Sequence, residues 1–408
     1  MSPNPSTPDK RPLKVLLLEN VHASAHELFG AAGFEVEALT HALPPEALAS
    51  KLAGFDILGI RSKTRVTAAV LAEAPVLAVG CFCIGTNQVD VGVANARGIP
   101  VFNAPFSNTR SVAELMIAEI ISLARQLGDR SREVHEGRWR KVASQCYEIR
   151  EKVLGIVGYG HIGRQLGVVA EGLGMRVLFY DHTPKLPMGN NVAVASLSEL
   201  LSRADFVSLH VPETPQTKQM VGAKELALMR KGSYLLNASR GSVVVIPALA
   251  AALRSGHLAG AAVDVYPEEP EADGNGFATP LQQLPNVILT PHIGGSTSEA
   301  QAAIGREVAS ALTKFVTTGS TAGTVNFPVV EVAQLAGTRR ILNVHRNVPG
   351  VLRDINRIVS DADANIRSQA LATDPNIGYL VMDIDQDVST EVYEGIAGLE
   401  TSIRTRIL

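Results

Sequence analysis

A glycine-rich run near the middle of the chain constrains the fold more than any other feature of this sequence. The spacing Gly158-x-Gly160-x-x-Gly163 follows an apolar strand predicted over Val153–Val157 and opens a helix. The first glycine allows a tight turn, the second lets a pyrophosphate approach the backbone, and the third lets helix and strand pack closely. The helix presents N–H groups and a positive dipole end to phosphates. The run therefore predicts a doubly wound sheet that binds a dinucleotide.

The next predicted strand, Arg176–Tyr180, ends on an acidic residue that bears on the choice of cofactor. Asp181 lies 18 residues after the last glycine of the run. A carboxylate at this place can accept hydrogen bonds from both ribose hydroxyls and repels a 2′-phosphate. The sequence therefore favours NAD over NADP. A tight strand–helix turn without a ligand is the alternative interpretation of the glycines, and this context disfavours it.

Strands and helices are predicted to alternate in two successive stretches of the chain, residues 13–107 and from Val153 to about Pro291. Such alternation implies parallel sheets with helices on both faces. Six strands in the second stretch are what a complete dinucleotide-binding sheet requires. They are predicted at Val153–Val157, Arg176–Tyr180, Phe206–His210, Tyr234–Asn237, Gly260–Val265 and Val287–Thr290.

The central position of the glycine run predicts that the dinucleotide domain, residues 108–297, is an insertion. A long helix over Ser111–Arg125 leads into it, and a helix from Ser298 to about Phe315 leads out and back to the first unit. The first domain is therefore predicted to comprise residues 13–107 and 298–330, followed by a linker over residues 331–338.

The final stretch, residues 339–408, has a different pattern. Its predicted order of elements, βαββαβ, is that of a ferredoxin-like module. The module has neither a glycine fingerprint nor a catalytic cluster, so a regulatory or oligomeric role is favoured. Its elements are predicted at Arg340–His345, Gly350–Asp361, Ile366–Ala372, Tyr379–Ile384, from about Ser389, and Ile403–Ile407.

Composition narrows the class of protein. A net charge of −3 and 19% charged residues favour neither a nucleic-acid nor a membrane-surface partner. No apolar stretch approaches the ~20 residues that a spanning helix needs. Cys81, Cys83 and Cys146 lack metal-ligand spacing, so reduced thiols, no metal and a cytoplasmic location are expected. Met1–Pro12 contains four prolines and is expected to be a disordered tail.

Three successive strands of the second domain end in residues suited to hydride-transfer chemistry. Arg240 follows one strand, Glu269 follows the strand that carries Asp264, and His292 follows the last. Histidine can exchange the hydroxyl proton, a carboxylate can orient it, and a guanidinium can bind a substrate carboxylate in bidentate fashion. Taken singly, the histidine could belong to a capped turn and the arginine to the surface. Together at one sheet edge they predict an active site.

These motifs resemble the D-2-hydroxyacid dehydrogenase family. Arg240, Glu269 and His292 stand in Asn-Ala-Ser-Arg-Gly, Pro-Glu-Glu-Pro and Pro-His-Ile-Gly-Gly. The stretches 80–90, 103–115 and 294–297, with the C-terminal module, narrow the resemblance to the bacterial branch with a single ACT domain that acts on 3-phosphoglycerate. The resemblance implies a flavodoxin-like substrate domain with an inserted Rossmann NAD domain, followed by a ferredoxin-like ACT domain.

The resemblance also implies an activity and the residues for it. The expected reaction is oxidation of 3-phosphoglycerate to 3-phosphohydroxypyruvate with NAD, the first step toward L-serine, with reduction of 2-oxoglutarate as a secondary activity. Arg240 would bind the substrate carboxylate, Glu269 would support His292, and Asp264 would hold the nicotinamide amide. The implied NAD contacts are Gly158, Gly160, His161, Ile162, Gly163, Asp181, Ala238, Ser239, Arg240, Asp264, His292, Ile293, Gly294 and Gly295.

Substrate and effector contacts follow from the same resemblance. Arg61, Ser62 and Asn108 are implied substrate contacts, whereas Lys63 and Arg65 are expected in a solvated loop. Trp139 and Lys141 would reach a neighbouring subunit's active site in a homotetramer. Packing within the chain is the alternative for Trp139.

The ACT domain is expected to bind the effector L-serine through His345, Asn347 and Asn365. The alternative for these residues is ordinary turn chemistry. The role of Arg339 and Arg340 stays open between a phosphate contact and a neighbouring subunit.

Two further functions are alternatives to this interpretation. One is an NAD sensor without enzymatic activity, which the C-terminal module disfavours. The other is a dehydrogenase of the same fold acting on glyoxylate or 2-oxoglutarate, which turnover measurements with each acid would distinguish.

Overall fold

The computed structural model describes residues 11–270, 274–385 and 389–408. Most of the predicted N-terminal tail, residues 1–10, lies outside them. Within the described part, Arg11 donates two hydrogen bonds to the carboxylate of Asp56. The chain divides into two compact units. Unit 1 comprises the described residues up to Ser107 together with Gln301–Leu408, and unit 2 comprises Asn108–Ala300.

Unit 1 opens with a parallel five-stranded sheet. Its strands are β1 (Lys14–Leu17), β2 (Glu35–Ala38), β3 (Ile57–Ile60), β4 (Ala78–Cys81) and β5 (Val101–Phe102), with helices α1 (Ala23–Ala31), α2 (Pro45–Leu52), α3 (Ala68–Glu73) and α4 (Val91–Ala96). The strand order β2-β1-β3-β4-β5 is that of a flavodoxin-like sheet, as predicted. The apolar strands are buried on both faces, as parallel strands under helices require.

Unit 2 is a doubly wound sheet with seven parallel strands. Its helices are α5 (Thr109–Arg125), α6 (Leu127–His135), α7 (His161–Gly172), α8 (Leu197–Arg203), α9 (Ala223–Leu228) and α10 (Ile246–Arg254). Its strands are β6 (Val153–Val157), β7 (Arg176–Tyr180), β8 (Val192–Ala193), β9 (Phe206–Leu209), β10 (Ser233–Asn237), β11 (Leu258–Val263) and β12 (Val287–Leu289). The order β12-β11-β10-β9-β6-β7-β8 reverses between β6 and β9, where such sheets bind their ligands.

All six strands predicted for this sheet are present, and the seventh was missed. β8 has two exposed residues at the sheet edge, so it offers no apolar run from which a strand could be predicted. Helix α11 (Ser298–Thr318) follows the sheet. Its residues Ile304, Val308 and Leu312 belong to the core beneath the first sheet of unit 1.

The C-terminal module has the predicted βαββαβ order. It consists of β13 (Thr338–Arg346), α12 (Val351–Asp361), β14 (Ile366–Thr373), β15 (Ile377–Asp385), α13 (Ser389–Ala397) and β16 (Ser402–Ile407). All neighbours in the sheet order β14-β15-β13-β16 are antiparallel.

Both faces of the module's sheet are buried. Ile341 and Met382 on one face pack with α12 and α13. Leu342 and Val381 on the other share a core with Phe315 of α11. The module is therefore packed onto the first sheet's domain within unit 1.

Candidate active site

The glycine turn after β6 is shaped for a ligand. Gly158 has a φ of +91°, and a Cβ there would clash with the carbonyl oxygen of His210. A Cβ at Gly163 would clash with the carbonyl oxygen of Gly158, so the third glycine lets α7 pack against the turn. A Cβ at Gly160 would meet nothing within 4 Å, and no side chain caps the start of α7 there. An open approach to an uncapped helix N-terminus fits a pyrophosphate.

Asp181, at the end of β7, is fastened to this turn. One carboxylate oxygen accepts a hydrogen bond of 2.9 Å from the Tyr159 N–H, and the other accepts from the N–H and hydroxyl of Thr183 at 3.0 Å. Burial raises the pKa of Asp181, but the hydrogen bonds outweigh it, so the net pKa lies below its ordinary value. Asp181 therefore stays ionised at the position where a ribose is expected.

His292 and Glu269 form a hydrogen-bonded pair at the ends of neighbouring strands. The Nδ1 atom of His292 lies 2.8 Å from Oε2 of Glu269, whose Oε1 accepts a hydrogen bond of 3.1 Å from the Tyr266 N–H. The hydrogen bond that His292 donates to the Glu269 carboxylate raises the pKa of His292 above its ordinary value, and burial only partly offsets it. Burial raises the pKa of Glu269, yet the hydrogen bonds from His292 and Tyr266 lower it overall. The carboxylate therefore favours the protonated imidazole.

The loop that carries His292 is held by Asp264, which is 1% exposed. One carboxylate oxygen accepts from the Thr290 hydroxyl at 2.6 Å and the Ile293 N–H at 2.8 Å, and the other accepts from the Gly294 N–H at 2.8 Å. The carbonyl of Asp264 accepts from the His292 N–H at 2.8 Å. These bonds fix His292 at a φ of +55°, which is uncommon for a residue with a side chain. Asp264 is thus the anchor of the histidine loop.

Arg240 lies in the turn after β10, next to the same pair. Its charge lowers the pKa of both His292 and Glu269, which places the guanidinium within electrostatic reach of them. A Cβ at Gly241 would clash with the backbone of Tyr266, so the loops after β10 and β11 are packed together. The structure therefore brings the predicted arginine, carboxylate and histidine to one sheet edge.

Two residues that support the site were missed in the sequence. Thr290 binds Asp264, and Glu119 is buried on α5 near it. Glu119 left a signal, since it interrupts the apolar spacing Met116, Ile120 and Leu123 of a helix that is otherwise buried there. Nothing in the sequence tied it to Asp264.

The predicted substrate residues Arg61 and Ser62 lie in unit 1, in the loop after β3. A buried glutamate, Glu19, holds this loop by accepting hydrogen bonds from the backbone N–H groups of Arg61, Lys63 and Thr64. The Arg61 side chain is half-buried, and Ser62 is exposed, as are Lys63 and Arg65. Glu19 was not anticipated, because a lone glutamate after a strand has no distinctive pattern.

Asn108, Trp139 and Lys141 belong to unit 2. Asn108 is buried at the start of α5 and packs against Gly295, where a Cβ would clash with its Nδ2. Trp139 is 85% exposed, so packing within its own chain is not its role. It lines a groove of about 810 Å³ together with Arg125, Arg130, Arg140, Lys141 and Tyr147.

The predicted effector residues occupy different environments in the C-terminal module. His345 is 3% exposed, and its Nδ1 lies 2.9 Å from Oδ1 of Asn343. Asn347 and Asn365 are exposed, and the Asn347 side chain donates to the Asp374 carbonyl at 2.6 Å. Arg340 is fully buried, so neither a phosphate nor a neighbouring subunit is its partner.

Comparisons with known proteins agree with this architecture. A model of the D-isomer specific 2-hydroxyacid dehydrogenase NAD-binding domain matches residues 117–294, and one of the AHAS small subunit-like ACT domain matches residues 341–403. The D-3-phosphoglycerate dehydrogenase of Dictyostelium discoideum is 54% identical over 100% of both chains. The chain belongs to the D-isomer specific 2-hydroxyacid dehydrogenase family. It is an NAD-binding dehydrogenase with a C-terminal ACT domain.

Further relatives place the chain within that family. The D-3-phosphoglycerate dehydrogenase of Escherichia coli K12 is 51% identical over 98% of both chains. A solved structure of the TT0316 protein from Thermus thermophilus is 32% identical with a TM-score of 0.70, covering 77% of this chain and 100% of that one. The D-lactate dehydrogenase from Aquifex aeolicus, complexed with NAD and lactic acid, is 25% identical with a TM-score of 0.66, covering 77% and 99%.

Within the described ranges, none of the helices combines the length and the apolar character that crossing a membrane would require.

Proposed function

We propose that this dehydrogenase oxidises 3-phosphoglycerate to 3-phosphohydroxypyruvate with NAD. The observation that carries the proposal is the His292–Glu269 pair with Arg240 beside it, at the strand edge that also holds the glycine turn. Full-length relatives at about half identity that bear the name D-3-phosphoglycerate dehydrogenase support this choice of substrate.

In this proposal the cofactor is held by unit 2. The turn residues Gly158–Gly163 would bind the pyrophosphate, and Asp181 would bind the ribose. The nicotinamide end would lie against the loops that carry Ala238–Arg240 and His292–Gly295. When bound, NAD supplies the acceptor for the hydride. Asp264 has both carboxylate oxygens engaged by its own loop. Its contribution is therefore to position His292, beside the nicotinamide contact that the resemblance implies.

The chain's own residues then perform the proton chemistry. Glu269 fixes Nδ1 of His292, so Nε2 is the ring nitrogen that takes the hydroxyl proton during oxidation. The carboxylate stabilises the imidazolium that forms. Arg240 binds the substrate carboxylate next to the reacting carbon. Arg61, Ser62 and Asn108 are the proposed contacts for the rest of the substrate, with residues 13–107 and 298–330 as the substrate domain.

A turnover measurement tests the proposal. We expect the kcat/KM of the purified enzyme for 3-phosphohydroxypyruvate to exceed that for glyoxylate or 2-oxoglutarate at least tenfold. Reduction of 2-oxoglutarate is expected as a secondary activity. We expect His292→Ala to lose more than 90% of kcat while NAD still binds in a fluorescence titration. An equal preference for the three acids, or a His292→Ala enzyme that keeps a tenth of its kcat, would contradict it. An NAD sensor would bind the cofactor without turnover.

We further propose that the ACT domain binds L-serine and inhibits the enzyme, as expected for the first step of a pathway that ends in serine. The exposed amides of Asn347 and Asn365 can donate to a carboxylate and accept from an ammonium group. We expect inhibition by L-serine that disappears in Asn347→Ala, with D-serine as the control ligand. An unchanged inhibition curve would refute this site.

The same proposal extends to assembly and location. A homotetramer would cover the exposed Trp139, since an aromatic side chain flanked by cations suits an interface pocket. Lys141 would then contribute its charge to the neighbouring subunit's site. The three cysteines are free, which suits a cytoplasmic enzyme. Analytical ultracentrifugation of the wild type and of Trp139→Ala tests the interface, and a tetramer unchanged by the substitution would contradict it.

A further inference from the structure

A buried carboxyl group on α5 has no role in the proposed reaction. Glu119 is 3% exposed, and neither of its carboxylate oxygens has a hydrogen-bond partner among the described residues. It lies within the apolar core that Met116, Ile120 and Leu123 of the same helix help to form. An ionised carboxylate in such a place is unfavourable unless it is paired, so the protonated acid is the form that the core accepts.

The charge that reaches Glu119 comes from the active-site strand. Helix α5 packs against α6, α7, β10, β11 and β12. Asp264, directly after β11, is the charged group whose negative charge raises the pKa of Glu119. Burial and the charge of Asp264 raise the pKa of Glu119 to about 8. Tyr266, on the same loop, also lies within electrostatic reach of both carboxyl groups and of Glu269.

Asp264 can anchor the histidine loop only as an acceptor. Its carboxylate takes hydrogen bonds from Thr290, Ile293 and Gly294, and all three partners are donors in this arrangement. A second negative charge beside it would repel it strongly in a core of low dielectric. The repulsion would drive the two groups apart, and a displaced Asp264 would release the backbone around His292.

We propose that Glu119 is a positioning residue that stays protonated, so that Asp264 alone carries the negative charge that holds the His292 loop. Ionisation of Glu119 then displaces that loop and ends catalysis at alkaline pH. The inference rests on the proposed dehydrogenase reaction for its kinetic consequence, but not for its effect on stability.

The variant Glu119→Gln tests the proposal, because an amide has nearly the same shape and cannot ionise. The kinetic readout is kcat for 3-phosphoglycerate oxidation between pH 6 and pH 10. We expect the variant to keep kcat within threefold of the wild type at pH 7. Its loss of activity at alkaline pH should move upward by at least one pH unit. The matched control is Glu114→Gln on the same helix, because Glu114 is exposed and paired with Arg110.

The second readout is the melting temperature of the cofactor-free protein against pH, which needs no turnover. When folding raises the pKa of a carboxyl group, that group stabilises the folded state. The stabilisation is complete at pH values below the pKa of the group in the unfolded chain. That advantage is lost as pH rises through the folded value near 8. Relative to Glu119→Gln, the wild type should therefore lose several degrees between pH 5 and pH 8, whereas Glu114→Gln should follow the wild type.

The outcomes separate the two proposals. The role of Glu119 would be overturned if the difference in melting temperature between the wild type and Glu119→Gln did not change with pH. It would also be overturned if Glu119→Gln lost activity at the same alkaline pH as the wild type. Absence of turnover with 3-phosphoglycerate in every variant, with the stability shift present, would overturn only the proposed substrate. If the glutamine variant does not fold, Glu119→Met replaces it in both measurements and is judged by the same outcomes.

Discussion

The buried ion pair between Arg340 and Asp383 gives the sharpest prediction about how the ACT domain is attached. Arg340 is 0% exposed, and all five of its N–H groups have acceptors. Nε and Nη2 donate to the two carboxylate oxygens of Asp383 at 2.7 and 2.8 Å. The carbonyls of Thr318, Val332 and Ala333 accept the other three bonds at 2.9 to 3.0 Å. The guanidinium therefore ties β13 and β15 to the segment that leads out of α11.

We expect Asp383→Ala to loosen this module severely. The substitution leaves Arg340 buried with three carbonyl partners and no counter-charge. Removing one partner of a buried pair costs about 3–5 kcal/mol, most of it the penalty of the unpaired charge. At about 1.4 kcal/mol per factor of ten, the opening equilibrium should rise by roughly two to four orders of magnitude.

Amide hydrogen exchange on β13 and β15 measures this effect locally, without requiring the whole chain to unfold in a single two-state transition. The matched control is Arg203→Ala, which breaks an exposed pair with Glu199 at a spacing of four residues on α8 and leaves the Glu199 side chain bonded to the Ala195 N–H. We expect that change to cost no more than about 0.5 kcal/mol, and to leave exchange in β13 unaltered.

A double variant distinguishes the lost charge pair from lost packing. Arg340→Met with Asp383→Leu removes both charges and keeps apolar volume in the site, so it should be far less damaging than Asp383→Ala alone. The reasoning is refuted if Asp383→Ala accelerates exchange in β13 and β15 by less than tenfold. It is equally refuted if the double variant exchanges as fast as the single one.

Two more predictions concern the site. Oxidation needs neutral His292, so its rate should rise with pH through the histidine's pKa, which Glu269 raises. In Glu269→Gln this rise in rate should occur at lower pH, and kcat should fall at least tenfold. A rise that occurs at the same pH as in the wild type would contradict the role of Glu269. Gly158→Ala should lower the free energy of unfolding by ~1–3 kcal/mol in denaturant titrations, because the substitution combines a strained φ with a clash. Gly160→Ala should keep wild-type stability and raise the Kd for NAD at least tenfold in a calorimetric titration. Equal losses of stability in both variants would contradict the open approach to the turn at Gly160.

Much of the site could be predicted because it depends on local pattern and on one topological rule. The glycine spacing specifies a turn whose φ and close contacts only glycine allows, and the structure has both features at Gly158. Parallel strands deliver the residues that follow them to one edge, so Arg240, Glu269 and His292 could be grouped without knowing a single distance. The strand β8 escaped prediction because two exposed residues carry no period.

By itself, the sequence determined the alternation of strands and helices, the dinucleotide turn, the acidic residue after β7 and the three residues suited to hydride transfer. These follow from periodicity and spacing, which the chain carries locally. Only the tertiary structure decided which carboxylates anchor which loops. Asp264 is the hub of the His292 loop, Glu19 holds the Arg61 loop, and Glu119 is buried without a partner among the described residues. The tertiary structure also decided that Arg340 is buried against Asp383 and that Trp139 is exposed. Burial and hydrogen bonding between segments far apart in the chain depend on packing, and no local pattern encodes them.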